Sequence, residues 1–188
     1  MENIDKFILN PDDCILGIVD IQDRLYRAME PEFKNIFVKN AAILIETAKA
    51  FAMPIIVSEQ YPKGLGKTIP EIDGHLKDIP RFEKLFFSCY REKLIRERIE
   101  KQGKASVIVA GIETHVCVLQ TVFDLLKDGY NVIVAYDAVC SRREMDRHSA
   151  LDTMAQAGAV IYSTEAIAFM LIEKAGTSRF KQLSSLFK

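Results

Sequence analysis

The chain has 188 residues, 49% apolar and 27% charged, which argues against a disordered chain and fits one folded domain. Lys plus Arg number 25 and Asp plus Glu 26, so the formal net charge is −1 and gives no electrostatic reason to expect nucleic acid or an anionic membrane as partner. The amino-terminal MENIDKFILNPDD is acidic without a long apolar core, and every apolar run falls far short of the ~20 residues of a bilayer span, so a cytoplasmic location is expected.

In chain order, CILGIV at 14–19 reads as a buried strand closing at Asp20. Over 34–52, Ile36, Phe37, Ala41, Leu44, Ile45 and Ala48 recur at helical spacing, and Met53-Pro54 stops that helix because proline disfavours a helical residue before it. PIIVSEQ is a second strand. The stretch 60–83, containing QYPKGLGKTIPEIDG, is rich in Pro and Gly and reads as a long loop of the kind that carries function. RFEKLFFS is a short apolar run consistent with another strand. A charged helix is expected at 91–102, strand SVIVAG at 106–111, and a helix at 115–128 with Gly129 at its C-terminal cap. Strand NVIVAYDA follows, then a helix over 144–157 ending at Gly158, then strand AVIYST and a short helix. Apolar strands alternating with helices predict an α/β fold. It is a single-domain three-layer sandwich with a mostly parallel sheet of five or six strands and helices on both faces.

The four cysteines, Cys14, Cys89, Cys117 and Cys140, lie in or beside apolar stretches and read as reduced thiols. His75, His115 and His148 are scattered, none pairing with a carboxylate at ligand spacing, so neither metal nor other cofactor is expected. GLGKT at 64–68 is not a P-loop, since Tyr61 occupies the place of its first glycine.

In an open parallel sheet the crevice lies at the carboxyl ends of the strands, where Asp20, Lys84 and Cys117 fall. A thiol in the first turn of a helix meets free N–H groups and the positive end of the dipole; a lysine supports its thiolate, and a carboxylate takes and returns its proton. Each residue alone has a plainer reading: Cys117 as a small core residue, Asp20 as a helix cap, Lys84 as a solvated lysine. His115 stands two positions before Cys117, a spacing that does not face it on a helix. Asp137 reads as a cap for the turn that follows. Gln22 and Gln60 are candidate polar contacts for a substrate. Tyr61, Leu65, Phe86 and Phe87 are candidate apolar lining, with core positions the favoured reading for the two phenylalanines.

IVDIQDRL, EKLFFSCY, AGIETHVCVLQTVFDLLKDGY, DAVCSRR and GAVIYSTEA together resemble the isochorismatase-like cysteine hydrolases, in order and spacing, from about 13 to 170. SEQYPKGLGKTIPEI resembles the branch called isochorismatase domain-containing proteins. The resemblance implies one such domain over 1–188, an Asp20–Lys84–Cys117 triad, and a non-proline cis peptide at Ile112–Glu113 that turns the Glu113 and Cys117 N–H groups toward one oxyanion. SEQYPKG stands where nicotinamide-hydrolysing members carry a metal cluster. The expectation is therefore a metal-independent cysteine hydrolase cleaving a small amide or related C–N bond through an acyl-enzyme. A homo-oligomer is implied by the resemblance. Isochorismate-type vinyl-ether hydrolysis and a non-catalytic scaffold with a relict site are the alternatives.

Overall fold

The computed structural model describes residues 4–187, so the first three residues of the amino-terminal segment, and Lys188, lie outside the described residues. The elements run β1 (Cys14–Val19), α1 (Asp23–Ala28), α2 (Pro31–Ala50), β2 (Ile55–Gln60), α3 (Pro62–Leu65), α4 (Pro70–Asp73), β3 (Arg81–Lys84), α5 (Lys93–Glu100) and β4 (Ser106–Ile112). A π-helical turn (Thr114–Val118) leads into α6 (Leu119–Lys127), followed by β5 (Asn131–Cys140), α7 (Glu144–Gln156), β6 (Val160–Tyr162), α8 (Thr164–Ile172) and α9 (Ser178–Ser184). The strands form one six-stranded sheet in the order β3-β2-β1-β4-β5-β6, and every neighbouring pair is parallel.

That order makes the site. The chain steps outward from β1 to β3, then returns to lay β4 against the other side of β1. The junction of β1 and β4 is the topological switch point, where crossovers leave in opposite directions and open a crevice at the carboxyl ends. Asp20 follows β1 directly, and the turn holding Cys117 follows β4.

Alternation along the strands divides the core. Leu16 and Ile18 of β1 pack with Phe37, Ala41, Leu44 and Ile45 of α2 and with Ile167 and Leu171 of α8. Ile15 and Val19 face Ile95 and Ile99 of α5, Val122 and Leu125 of α6, and Met154 of α7. Each fully buried Leu or Ile contributes about 1.5–3 kcal/mol over exposure, so two packed layers fix which way every strand faces. Among the described residues no helix is long and apolar enough to cross a membrane.

Helix α2 begins three residues before the expected start, because Pro31 sits at its first turn, where a missing N–H is harmless, and it ends at Ala50, capped at Phe51. Gly129 and Gly158 end α6 and α7 with φ of 88° and 108°, as their sequence positions indicated. Strand β5 continues past Ala138 to Cys140. It bulges between its pairings with Val109 and Gly111, and Arg147 of α7 braces the bulge through the Tyr136 and Val139 carbonyls.

The expected loop over 60–83 contains α3, α4 and β3. It is pinned from below. Gln22 Nε2 donates to the Gln60 and Gly66 carbonyls at 3.0 and 2.6 Å, and its Oε1 accepts from the Gln60 N–H at 2.7 Å. Glu59 Oε1 accepts from both the N–H and the hydroxyl of Thr68, each at 2.7 Å.

Candidate active site

Asp20 is fully buried and adopts φ +50°, a left-handed backbone that costs a non-glycine residue free energy and turns the chain sharply at the end of β1. It does not cap a helix; Gln22 occupies the position before α1, without a side-chain cap. The Asp20 N–H bonds the Ser58 carbonyl at 3.2 Å, and the Ser58 hydroxyl donates to Asp20 Oδ1 at 2.7 Å. On the other oxygen, Lys84 Nζ stands 2.7 Å from Oδ2, with both side chains wholly buried. That contact is a short buried ion pair, and a carboxylate oxygen has a second lone pair with which to accept another hydrogen.

Lys84 ends β3 and its ammonium is caged. Gln60 Oε1 at 2.7 Å, the Phe87 carbonyl at 2.9 Å and the Phe86 carbonyl at 3.1 Å accept its protons. Burial works against its charge, but the neighbouring Cys89, Asp20 and Cys117 groups outweigh it and raise Lys84 above the ordinary lysine range. Lys84 is therefore a fixed positive charge inside the protein.

Cys117 sits in the π-helical turn, 5% exposed. Its thiol stands close enough to the Asp20 carboxyl to feel its charge. Burial first, then the Asp20 charge, push the thiol far above its ordinary value, while Lys84 pulls it back. The resting Cys117 is therefore a protonated thiol. Thr121 ties this turn to its neighbour, donating to the Cys117 carbonyl at 2.6 Å and accepting from the Cys89 N–H at 2.9 Å.

The Ile112–Glu113 peptide bond is cis. The Glu113 carboxylate points away toward Arg142, accepting from its Nε at 2.8 Å. Gly111, paired with Val19 and at φ +134°, marks a close approach that sequence reading missed: a Cβ there would lie 2.1 Å from the Val19 oxygen. Only glycine lets β4 press against the strand end that carries Asp20.

The other sequence candidates divide. Gln60 joins the site as a partner of Lys84 and also donates to the Leu85 carbonyl at 2.9 Å. Gln22 spends its amide on the loop, bonding Gln60 and Gly66. Tyr61 lies beside the site, in a groove of about 330 Å³ shared with Pro62, Glu83, Lys84, Leu85 and Glu92. Leu65 is half-buried at the end of α3. Phe86 and Phe87 are not core: each is 54% exposed, because their carbonyls must turn inward to Lys84 and the rings follow outward. His115 bonds Ser141 through Nδ1 at 2.9 Å. Asp137 Oδ1 receives the Thr164 N–H and hydroxyl, both at 2.8 Å, and so holds the first residue of α8, whose cap is Ser163. Ser58, Cys89 and Thr121 had no signal in the sequence beyond being small and polar in apolar surroundings. All four cysteines are buried and unpaired by disulfides. Among the described residues no group of three His, Cys, Asp or Glu side chains is arranged to hold a metal ion.

The family model for the isochorismatase domain matches residues 14–166, from the first residue of β1 into α8. The chain belongs to the isochorismatase family. A secreted isochorismatase effector of Phytophthora sojae is 36% identical, over 96% of this chain and 87% of that protein. A Caenorhabditis elegans structure described as the MAR1 ribonuclease superposes with TM-score 0.88 at 37% identity, covering 95% of this chain and 91% of that one. The Escherichia coli YcaC structure, described as an octameric hydrolase of unknown specificity, has TM-score 0.88 at 28% identity, covering 96% and 89%. This chain is accordingly an isochorismatase-like hydrolase with the α/β fold of that family.

Proposed function

We propose that this isochorismatase-family protein is a metal-independent cysteine hydrolase that cleaves a small amide or related C–N bond. One observation carries the reading. A buried carboxylate, Asp20, ion-paired through Oδ2 to a caged ammonium, stands beside a buried thiol.

The chemistry follows from those positions. Asp20 Oδ2 takes the Cys117 proton as the sulfur attacks the substrate carbonyl, and Lys84 offsets the negative charge that moves between them. The N–H groups of Glu113 and Cys117 hold the tetrahedral oxyanion. Asp20 returns the proton to the departing nitrogen, leaving a thioester on Cys117. Water, deprotonated by Asp20, then attacks the thioester; the acid leaves and the thiol is restored. Tyr61 and the groove beside it border the substrate, and the exposed Leu85, Phe86 and Phe87 form an apolar rim that a second copy of the chain would cover in a homo-oligomer. The octamer described for the Escherichia coli relative supports such association.

The test is turnover of a panel of aliphatic, aromatic and ureido amides, with isochorismate alongside, by the native protein and by Cys117→Ala. The expected result is hydrolysis of at least one amide and its loss in the variant. Amide turnover undiminished in Cys117→Ala would end the covalent route. The Phytophthora relative, described as an isochorismatase effector, favours ether hydrolysis as the second reading, marked by isochorismate turnover that survives the substitution.

A further inference from the structure

Behind Asp20, on the side away from Lys84, stands a short polar chain. Ser58 Oγ is 2.7 Å from Asp20 Oδ1 and 3.2 Å from Cys89 Sγ, and all three residues are buried. A serine hydroxyl has one proton, and an ionised carboxylate can only accept. Ser58 therefore donates to Asp20, and the Cys89 thiol donates to Ser58. Burial, together with the Asp20 charge, pushes the Cys89 thiol up to about 11, so near neutral pH it keeps the proton that it donates to Ser58, whose own proton is already given to Asp20. The order Cys89 S–H to Ser58 O–H to Asp20 Oδ1 is thus fixed.

We propose that Ser58 is a positioning residue that sets where the proton shared by Asp20 and Cys117 rests, holding it on the sulfur. This deepens, and rests on, the proposed thiol chemistry. The pair holds one proton in two arrangements: thiol with carboxylate, or thiolate with carboxylic acid. A hydrogen bond to a charged acceptor is worth more than one to a neutral acceptor, so the Ser58 hydroxyl favours the carboxylate. Lys84, 2.7 Å from Asp20 Oδ2, also favours the carboxylate, but it is the same in every Ser58 variant, so a difference between those variants reads the hydroxyl alone. The groups facing Asp20 are Ser58 from β2, Lys84 from β3, Cys89 from the turn Cys89–Arg91, and Cys117 from the π-helical turn. Among the described residues, only Ser58 touches the Asp20 carboxylate at Oδ1 as a neutral donor. The consequence has two parts. The resting thiol is protected from adventitious electrophiles, and the Asp20 carboxylic acid formed during attack is a stronger proton donor toward the departing nitrogen.

The experiment measures alkylation of Cys117 by iodoacetamide near neutral pH, quantified on the Cys117 peptide by mass spectrometry, so that no substrate is needed. Ser58→Ala should alkylate faster than the native protein by roughly tenfold or more, the worth of one hydrogen bond to a charged acceptor. A cavity of about 20 Å³ borders Ser58, Gly17, Cys89 and Thr121 and leaves room for an added methyl. Ser58→Thr and Ser58→Val are nearly isosteric there. The Thr variant should match the native rate and the Val variant the Ala rate. In an Asp20→Asn background, adding Ser58→Ala should change nothing. A Ser58→Ala rate equal to or below the native one, or Thr and Val variants that alkylate alike, would overturn the inference. Loss of the hydrolytic reading would instead appear as Cys117→Ala retaining amide turnover, whatever the alkylation rates.

Discussion

Replacing Lys84 by Met keeps the apolar stem and removes the ammonium from between four acceptors. Asp20 Oδ2 at 2.7 Å, Gln60 Oε1 at 2.7 Å and the Phe86 and Phe87 carbonyls at 3.1 and 2.9 Å would all lose their partner in a site with no solvent exposure. Breaking a buried ion pair from one side costs about 3–5 kcal/mol, because the remaining charge stays buried and uncompensated. For a chain of this length that corresponds to a fall in Tm of about 6–20 °C. Urea unfolding, followed by circular dichroism, reads the loss directly as a shift in midpoint at constant slope. The double variant Asp20→Leu with Lys84→Met removes both charges and should regain most of the stability while staying inactive. A Lys84→Met midpoint within experimental error of the native one would refute the picture of a caged, obligatory ammonium. The pH dependence has a definite sign. A lysine raised on folding contributes stability that is fully present below its ordinary value of 10.5 and is lost as pH climbs through the higher folded value. The gap between native and Lys84→Met should therefore hold across neutral pH and close only under strongly alkaline conditions.

The same linkage applies to the buried thiols. Burial, with Asp13 adding, pushes Cys14 from 9.0 up to about 12, so it stays protonated in the fold where the unfolded chain ionises. Its contribution is complete below pH 9 and erodes by about 1.4 kcal/mol per pH unit above it. Cys14→Ala should show a shallower alkaline decline in urea midpoints, and an identical slope would contradict this. Gly111→Ala forces a Cβ to within 2.1 Å of the Val19 oxygen at a φ of +134° and should destabilise by at least about 3 kcal/mol, read by thermal unfolding, where an unchanged Tm would count against the close approach. Gln22→Ala removes the clasp on Gln60 and Gly66, so limited trypsin digestion should cut at Lys63 or Lys67 faster than in the native protein, with the sheet intact.

The strands and long helices were legible because their signal is local. Alternating burial in β1, proline at 54 and glycines at 129 and 158 each act on their own neighbourhood. That Asp20 and Lys84 meet in one buried cluster near Cys117 was legible from their places at strand ends and from the family resemblance. What was not legible depends on partners far along the chain. Phe86 and Phe87 read as core because they are large and apolar, yet their carbonyls are drawn to an ammonium and their rings are left outside. Gln22 read as a substrate contact because it is polar beside Asp20, yet its amide closes a clasp 38 and 44 residues away. The short helices α3 and α4 are four residues each, too short for periodicity to show, and depend on proline starts and on Gln22 and Glu59 beneath them. Ser58 is one serine in an apolar strand, and only its approach to Asp20 gives it meaning.

The most direct measurement of the central claim is rapid-quench mass spectrometry of the protein mixed with a hydrolysed amide. The account predicts a transient mass increase equal to the acyl group, mapped to the Cys117 peptide and absent in Cys117→Ala. Steady hydrolysis with no acyl mass on Cys117 at any quench time, in a protein whose Cys117→Ala variant turns over equally well, would contradict it.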